Sequence, residues 1–371
     1  MRLIDKVGQI NWIFVLIVCI TAGVGFGMLY SAAGGDIDPW AARQMIRFGI
    51  GLAIMITIAL IDIRIWIRSA YIIYFLSLLL LGMVELAGVA GSGAQRWLDI
   101  GALQIQPSEI MKVGLILALA RYFHGATSEE MARPTFLIPP LVMVAVPAAL
   151  VLSQPDLGTG VILILIAASI IFLAGVKLWK FAILCGFALG AVPLAWQFLR
   201  DYQKARILTF LDPERDPLGA GYHILQSKIA LGSGGIFGKG YLQGTQSHLN
   251  FLPEKQTDFI FTMLAEEFGM LGALMLIGLY LLLIALGFLI AFRSTSQFGR
   301  LIGLGVTTSF FLYVFVNIAM VTGLIPVVGV PLPLISYGGS AMMALLAGFG
   351  LLLNVSVHRD VEVGRHGRAP G

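Results

Sequence analysis

The chain has 371 residues, 58% of them hydrophobic and 12% charged, with a formal net charge of +4 and a mean hydropathy of +0.91. Soluble globular domains carry about 25% charged residues, so this composition excludes a soluble enzyme and implies an all-α polytopic membrane protein. Its basic residues stand singly between apolar runs rather than in a patch, which makes membrane lipids the surroundings, argues against nucleic acid, and turns each Lys or Arg into a marker of orientation.

A membrane-spanning helix needs about 20 apolar residues. The apolar runs predict about ten such helices: 10–30, 45–61, 70–88, 108–122, 136–152, 157–174, 180–199, 270–292, 301–323 and 340–357. Residues 1–371 are expected to form one integral domain, with a large loop at 200–258 between helices 7 and 8 and a tail at 358–371. Arg2 and Lys6 precede the first run as in a signal peptide, but the run is too long for an h-region and is read as an uncleaved span. Cys19 and Cys185 both fall in apolar runs, so neither a disulfide nor a thiolate metal site is supported.

Alternate connections carry Arg2 and Lys6, Arg64 and Arg68, Arg121 and Arg133, Lys177 and Lys180, Arg293 and Arg300, then Arg359, Arg365 and Arg368. The intervening short ones hold only Arg43, Arg47 and Arg96. This asymmetry predicts both termini in the cytoplasm. The loop at 200–258 is then extracytoplasmic, where cytosolic ATP is out of reach. Within it, Ile224 to Leu231 reads as a short helix at the membrane interface.

Several polar groups invite both a structural and a functional reading. Glu109 and Lys112, in Gln106-Pro-Ser-Glu-Ile-Met-Lys112, share one helical face. They can be a structural ion pair or line a substrate cavity, since a charge near the bilayer centre costs about 2.5–3.5 kcal/mol unless it faces a partner or water. Asp156, in Gln154-Pro-Asp-Leu-Gly-Thr159, is placed as a helix cap at the depth of an outward cavity. Glu85 and Asn317 are further intramembrane polar groups. Gly232-Ser-Gly-Gly-Ile-Phe-Gly-Lys-Gly240 lacks Walker spacing and leaves a choice between a plain hinge and an amide-rich turn that cradles phosphate.

Arg206, Lys228, Lys239 and Lys255 disperse four cations over the loop, and Arg96 adds another from Ala94-Gln-Arg-Trp-Leu-Asp99. Each alone is ordinary solvated surface; together they suit a diphosphate. Asp258 ends the loop, just before Phe259-Ile-Phe. Its plainest role is the N-cap of the following helix. Its functional role would be a general base at the membrane surface, with apolar neighbours raising its pKa. Glu254 is a second carboxylate, in a stretch that reads as solvated loop. Pro326, Pro331 and Pro333 with Gly338-Gly-Ser340 break the helix before the last span, which is tolerated at membrane depth only against protein or a wet cavity.

Six motifs occur in order: Ala94-Gln-Arg-Trp-Leu-Asp99, Gln106-Pro-Ser-Glu109, Gln154-Pro-Asp-Leu-Gly-Thr159, Asp212-Pro-Glu-Arg-Asp-Pro-Leu-Gly-Ala-Gly-Tyr-His223, Phe251-Leu-Pro-Glu-Lys-Gln-Thr-Asp-Phe259 and Pro331-Leu-Pro-Leu-Ile-Ser-Tyr-Gly-Gly-Ser340. Over nearly the whole length this pattern resembles the SEDS family of shape, elongation, division and sporulation proteins, and looks most like its RodA branch. The resemblance implies a ten-span glycosyltransferase of the bacterial plasma membrane that polymerises lipid II on the outer face. It also implies a class B penicillin-binding protein as partner transpeptidase, within the cell-elongation machinery. On the family's motif Asp258 is the expected catalytic residue, and Glu109, Lys112 and Asp156 are expected to line or support the central cavity.

The chemistry agrees on its own terms. The acceptor hydroxyl must lose a proton as it attacks the donor's anomeric carbon, and because diphosphate is a good leaving group, one carboxylate base suffices. Cations, or a divalent metal such as Mg or Mn, would stabilise the leaving charge. Two other classes fit parts of the pattern: a lipid flippase or transporter, from the broken helices and buried polar groups, and a non-catalytic scaffold for the transpeptidase.

Overall fold

A computed structural model of the chain describes residues 3–91, 94–100, 103–154, 156–183, 185–186, 208–210, 220–248, 254–362 and 364, with single positions at 190, 197, 204 and 212. After the short α1 (Leu3–Gly8), three long helices follow: α2 (Trp12–Ala32), α3 (Ala41–Leu60) and α4 (Ile63–Ala87). Asn11 and Asp62 start α2 and α4 by accepting the Phe14 and Arg64 amides at 3.1 and 2.8 Å, which occupies donors the first helical turn leaves open.

The short connection between α4 and α5, expected as an outer loop, forms a small antiparallel meander of β1 (Val89–Gly91), β2 (Ala94–Ile100) and β3 (Leu103–Ile105). Its register pairs Val89 with Trp97 and Leu98 with Ile105. Leu98 is buried while Asp99 next to it is exposed, the alternation a strand imposes.

The bundle is built around α5 (Pro107–Phe123), which is buried on most of its surface and touches α4, α7 (Ile138–Ser153), α8 (Leu157–Leu173), α12 (Gln297–Val321) and α13 (Gly339–Val357). Such a position shields Glu109 and Lys112 from lipid. The short α6 (Ser128–Ala132) carries a capping box between Thr127 and Glu130. Where α3 and α13 cross, a Cβ on Gly51 would lie 2.4 Å from Leu346 and one on Gly350 2.8 Å from the Met55 carbonyl; small residues let membrane helices approach this closely.

Nine of the ten expected spans coincide with helices, and the seventh, 180–199, lies for the most part outside the described residues. Among the described residues seven helices are long and apolar enough to cross a membrane, and α8 is a shorter apolar one. The expected span 270–292 forms the later part of α11 (Ile260–Arg293), a 34-residue helix interrupted at Gly269.

The expected interfacial helix is α9 (Ala220–Ser233), which packs Ile224, Ser227 and Ala230 inward against α11 and α12. The glycine loop after it dovetails into the break in α11. Lys239 and Gly240 donate their amides to the Glu266 and Glu267 carbonyls, both at 3.0 Å, and Met270 and Leu271 donate to Gly235 and Ile236. The short α10 (Thr245–His248) follows.

Lys6, Arg68, Arg121, Gln297 and Arg359 gather at one end of the bundle through contacts such as Lys6 Nζ to the Leu60 carbonyl, Arg121 to the Arg68 carbonyl, and Thr295 to the Arg359 carbonyl. At the other end Tyr241 reaches across to the Gly27 carbonyl of α2. Between α12 and α13 the chain runs non-helically past Pro326, Pro331 and Pro333. It is backed by protein there: a Cβ on Gly25 of α2 would meet the Leu334 carbonyl at 2.7 Å, and Tyr280 donates to the Pro333 carbonyl at 2.7 Å.

Candidate active site

Asp258 stands in a tight turn that feeds α11. Glu254 opens the turn with a φ of 52°, and its carbonyl accepts the Thr257 and Phe259 amides at 3.0 and 3.4 Å. The N-cap position falls to Phe259, so the capping role expected for Asp258 is not the one it takes: the turn runs one residue further before the helix starts. Asp258 is half-buried, above the buried Phe259 and Ile260, with Oδ2 3.4 Å from where a Cβ on Gly329 would sit. Asn317 Nδ2 donates to the Asp258 carbonyl at 3.0 Å. Glu254 is exposed and its carboxylate accepts the Thr257 hydroxyl at 2.9 Å.

Deeper in the bundle, Lys112 Nζ donates to Glu109 Oε2 at 2.7 Å and to the Tyr313 hydroxyl. Tyr313 donates to Glu109 Oε1 at 3.1 Å, and the ammonium lies 3.7 Å from the Tyr313 ring centroid. All three side chains are buried, so the structure answers the cost of the two charges with direct pairing. They line a cavity of about 60 Å³ together with Phe310, Pro331, Ser336 and Met342. Ser336 joins this cavity to the turn that carries Asp258, since its hydroxyl donates to the Thr257 carbonyl at 2.5 Å.

Asp156 caps α8, accepting the Thr159 amide at 3.2 Å and its hydroxyl at 2.9 Å. Arg96 Nε on β2 comes within 3.7 Å of Asp156 Oδ2, so the meander carries a cation to the end of α8. Asp156 is also within Coulombic range of Lys112 and Tyr313. These contacts bring Glu109, Lys112, Asp156 and Arg96 into one polar region.

The loop cations do not converge in the same way. Lys239 pairs with the fully buried Glu266 at 2.8 Å and also donates to Thr245, and within its glycine turn the Lys239 and Gly240 amides are taken by carbonyls of α11 while the Gly235 and Gly238 amides bond to Gly232 and Gly234. Lys228 lies exposed along Gly323, whose added Cβ would be 2.3 Å from its Cε. Lys255 is half-buried in the turn that carries Asp258, and loss of hydration there lowers its ammonium below the ordinary lysine range. Arg206 lies outside the described residues. Among the described residues no three His, Cys, Asp or Glu side chains converge to hold a metal ion.

Tyr313 and Ser336 enter the site without having been singled out from sequence, and Asn317 was noted there only as a further intramembrane polar group. Their signal was present in part: a tyrosine and an asparagine one helical turn apart in an otherwise apolar span are costly unless something satisfies them.

Known proteins resemble the chain over nearly its full length. The model of the FtsW/RodA/SpoVE family of cell cycle proteins matches residues 10–361. The peptidoglycan glycosyltransferase MrdB of Escherichia coli (strain K12) is 46% identical over 335 residues, 90% of each chain. Stage V sporulation protein E of Bacillus subtilis (strain 168) is 36% identical over 93% of this chain and 96% of its own.

Among solved structures, a chain from a peptidoglycan synthase complex that coordinates polymerization and crosslinking superposes with a TM-score of 0.81 at 35% identity, covering 94% of this chain and 98% of that one. The rod shape determining protein RodA of Thermus thermophilus gives 0.72 at 31% identity, covering 94% and 97%. With the motifs, the helical order and the polar cavity all in place, the chain belongs to the FtsW/RodA/SpoVE family of multi-pass membrane proteins.

Proposed function

We infer that this chain is a peptidoglycan glycosyltransferase that polymerises lipid II, with Asp258 as its general base. The observation that carries the assignment of the base is the mounting of Asp258: a half-buried carboxylate one residue ahead of the helix N-cap, on a turn tied at Thr257 to Ser336 of the cavity that Glu109 and Lys112 line. In the reaction the acceptor sugar's 4-hydroxyl gives its proton to Asp258 as its oxygen attacks the donor's anomeric carbon. The bond to the diphosphate breaks with inversion, giving a β-1,4 link and free undecaprenyl diphosphate.

Lys112, within the Glu109 and Tyr313 cluster, supplies positive charge in the cavity wall, and Arg96 adds a cation beside Asp156. Of the loop cations, Lys255 shares the turn with Asp258 and is the one placed to meet the leaving diphosphate; Arg206, Lys228 and Lys239 are secondary.

The whole of 1–371 acts as one integral unit in the bacterial plasma membrane during cell elongation. Both termini face the cytoplasm and the site opens on the other side, which the gathering of Lys6, Arg68, Arg121 and Arg359 at one end supports. A class B penicillin-binding protein is the partner that crosslinks the product, a reading supported by the similarity to a synthase complex that couples the two activities.

The test is polymerisation of lipid II by purified protein carrying Asp258→Asn, which keeps shape and removes the base. Loss of polymer of at least about 100-fold is expected, the lower bound of what a general base contributes. Polymer formed at the normal rate would sink the assignment, and lipid movement across vesicles without polymer would favour a transporter.

A further inference from the structure

Three successive carbonyls, those of Gln256, Thr257 and Asp258, are each held by a donor from far along the chain. The Tyr337 amide takes the first at 2.8 Å, the Ser336 hydroxyl the second at 2.5 Å, and the Asn317 amide group the third at 3.0 Å. Among the described residues the turn's own backbone makes two bonds, both to the Glu254 carbonyl, and the three long-range donors add to them. The donors are braced in their own right. Asn317 is fully buried and also donates to the Val330 carbonyl at 2.7 Å. Ser336 is buried, accepts the Leu332 amide at 2.8 Å, and has its own carbonyl held by Gln44 of α3 at 3.0 Å.

We propose that Asn317 and Ser336 are positioning residues that aim the Asp258 carboxylate by clamping the backbone on which it is mounted. The inference rests on Asp258 being the base. An aspartate side chain has two rotatable bonds, so where its oxygens lie follows from where its backbone is held. A displacement of 1 Å at a reacting group costs up to about 100-fold in rate. Asn317 also lies one turn from Tyr313 on α12, about 6 Å along the axis, so the helix face that pins Asp258 is the one anchored to Glu109 and Lys112. The clamp thereby registers the turn against the cavity.

The experiment measures kcat and KM for lipid II polymerisation by the full-length protein and by Asn317→Leu, Ser336→Ala and Asp258→Asn side by side. Asn317→Leu conserves volume, suits a membrane helix and removes both donors. We expect its kcat to fall by about 10- to 100-fold with KM unchanged, the mark of an interaction that acts in the transition state. Ser336→Ala, which deletes one hydroxyl, is read by the same two numbers and decides the matter if Asn317→Leu does not fold. A wild-type kcat in either folded variant, or a rise in KM that replaces or matches the fall in kcat, overturns the clamp. If Asp258→Asn is inactive while both clamp variants turn over normally, this inference alone fails; if Asp258→Asn is active, the base assignment fails and the clamp with it.

Discussion

Lys112 has its ammonium on Glu109 and on the hydroxyl of Tyr313, with the aromatic ring beside it. Each member offsets the desolvation of another, so the cluster is stable only while complete. Replacing Lys112 by Met strands the Glu109 carboxylate in a buried site, and removing one partner of a buried pair costs about 3–5 kcal/mol. Unfolding in detergent should show that loss for Lys112→Met, and most of it should return in the double variant Glu109→Gln with Lys112→Met. A double variant less stable than the single would mean the pair is not what holds α5 to α12. Nothing in the sequence paired Lys112 with Tyr313, because the two lie 201 residues apart.

α11 extends for 34 residues, about 51 Å at 1.5 Å per residue, well beyond the roughly 30 Å hydrocarbon core. Its interruption at Gly269, with φ 68° and ψ −164°, lies in a backbone region essentially confined to glycine. The break opens the carbonyls of Glu266 and Glu267 to the amides of Lys239 and Gly240, and so fastens the loop after α9 to the helix that Asp258 precedes. Gly269→Ala would put a Cβ 2.3 Å from the Gly238 nitrogen. Strain of about 1–3 kcal/mol together with that clash should lower the melting temperature and reduce polymerisation. A melting temperature equal to that of the unchanged protein would show that the dovetail is not a fixed feature. The same element shows where hydropathy reading stops: it marked 270–292 because lipid-facing residues there are apolar, and it missed Ile260–Phe268 because Glu266 and Glu267 lower the local average while being satisfied by Lys239 and Ser31.

For the whole molecule, the separation of polar ends gives a topology that can be read directly. In a background lacking Cys19 and Cys185, a membrane-impermeant maleimide should label Gln243→Cys in intact spheroplasts. Asp360→Cys should react only after permeabilisation, since both positions are exposed but belong to opposite ends of the bundle. The reverse pattern would invert the proposed orientation and place the Asp258 turn on the cytoplasmic side.

By itself the sequence determined that the chain is a helical membrane protein, where nine of its helices lie, and that Asp258, Glu109, Lys112 and Asp156 are the groups to watch. Those properties are local: spans follow from runs of apolar residues, and polar groups within them stand out because lipid does not solvate charge. Only the tertiary structure decided that the helix cap falls to Phe259, that Lys239 belongs to Glu266, that Arg96 arrives beside Asp156 on an unexpected strand, and that Asn317 and Ser336 donate to the turn that carries Asp258. Each of these depends on a donor and an acceptor brought together from distant parts of the chain, 59 residues apart for Asn317 and Asp258 and 79 for Ser336 and Thr257. Apolar periodicity carries no record of such partners, because a buried polar atom must find one but does not specify which.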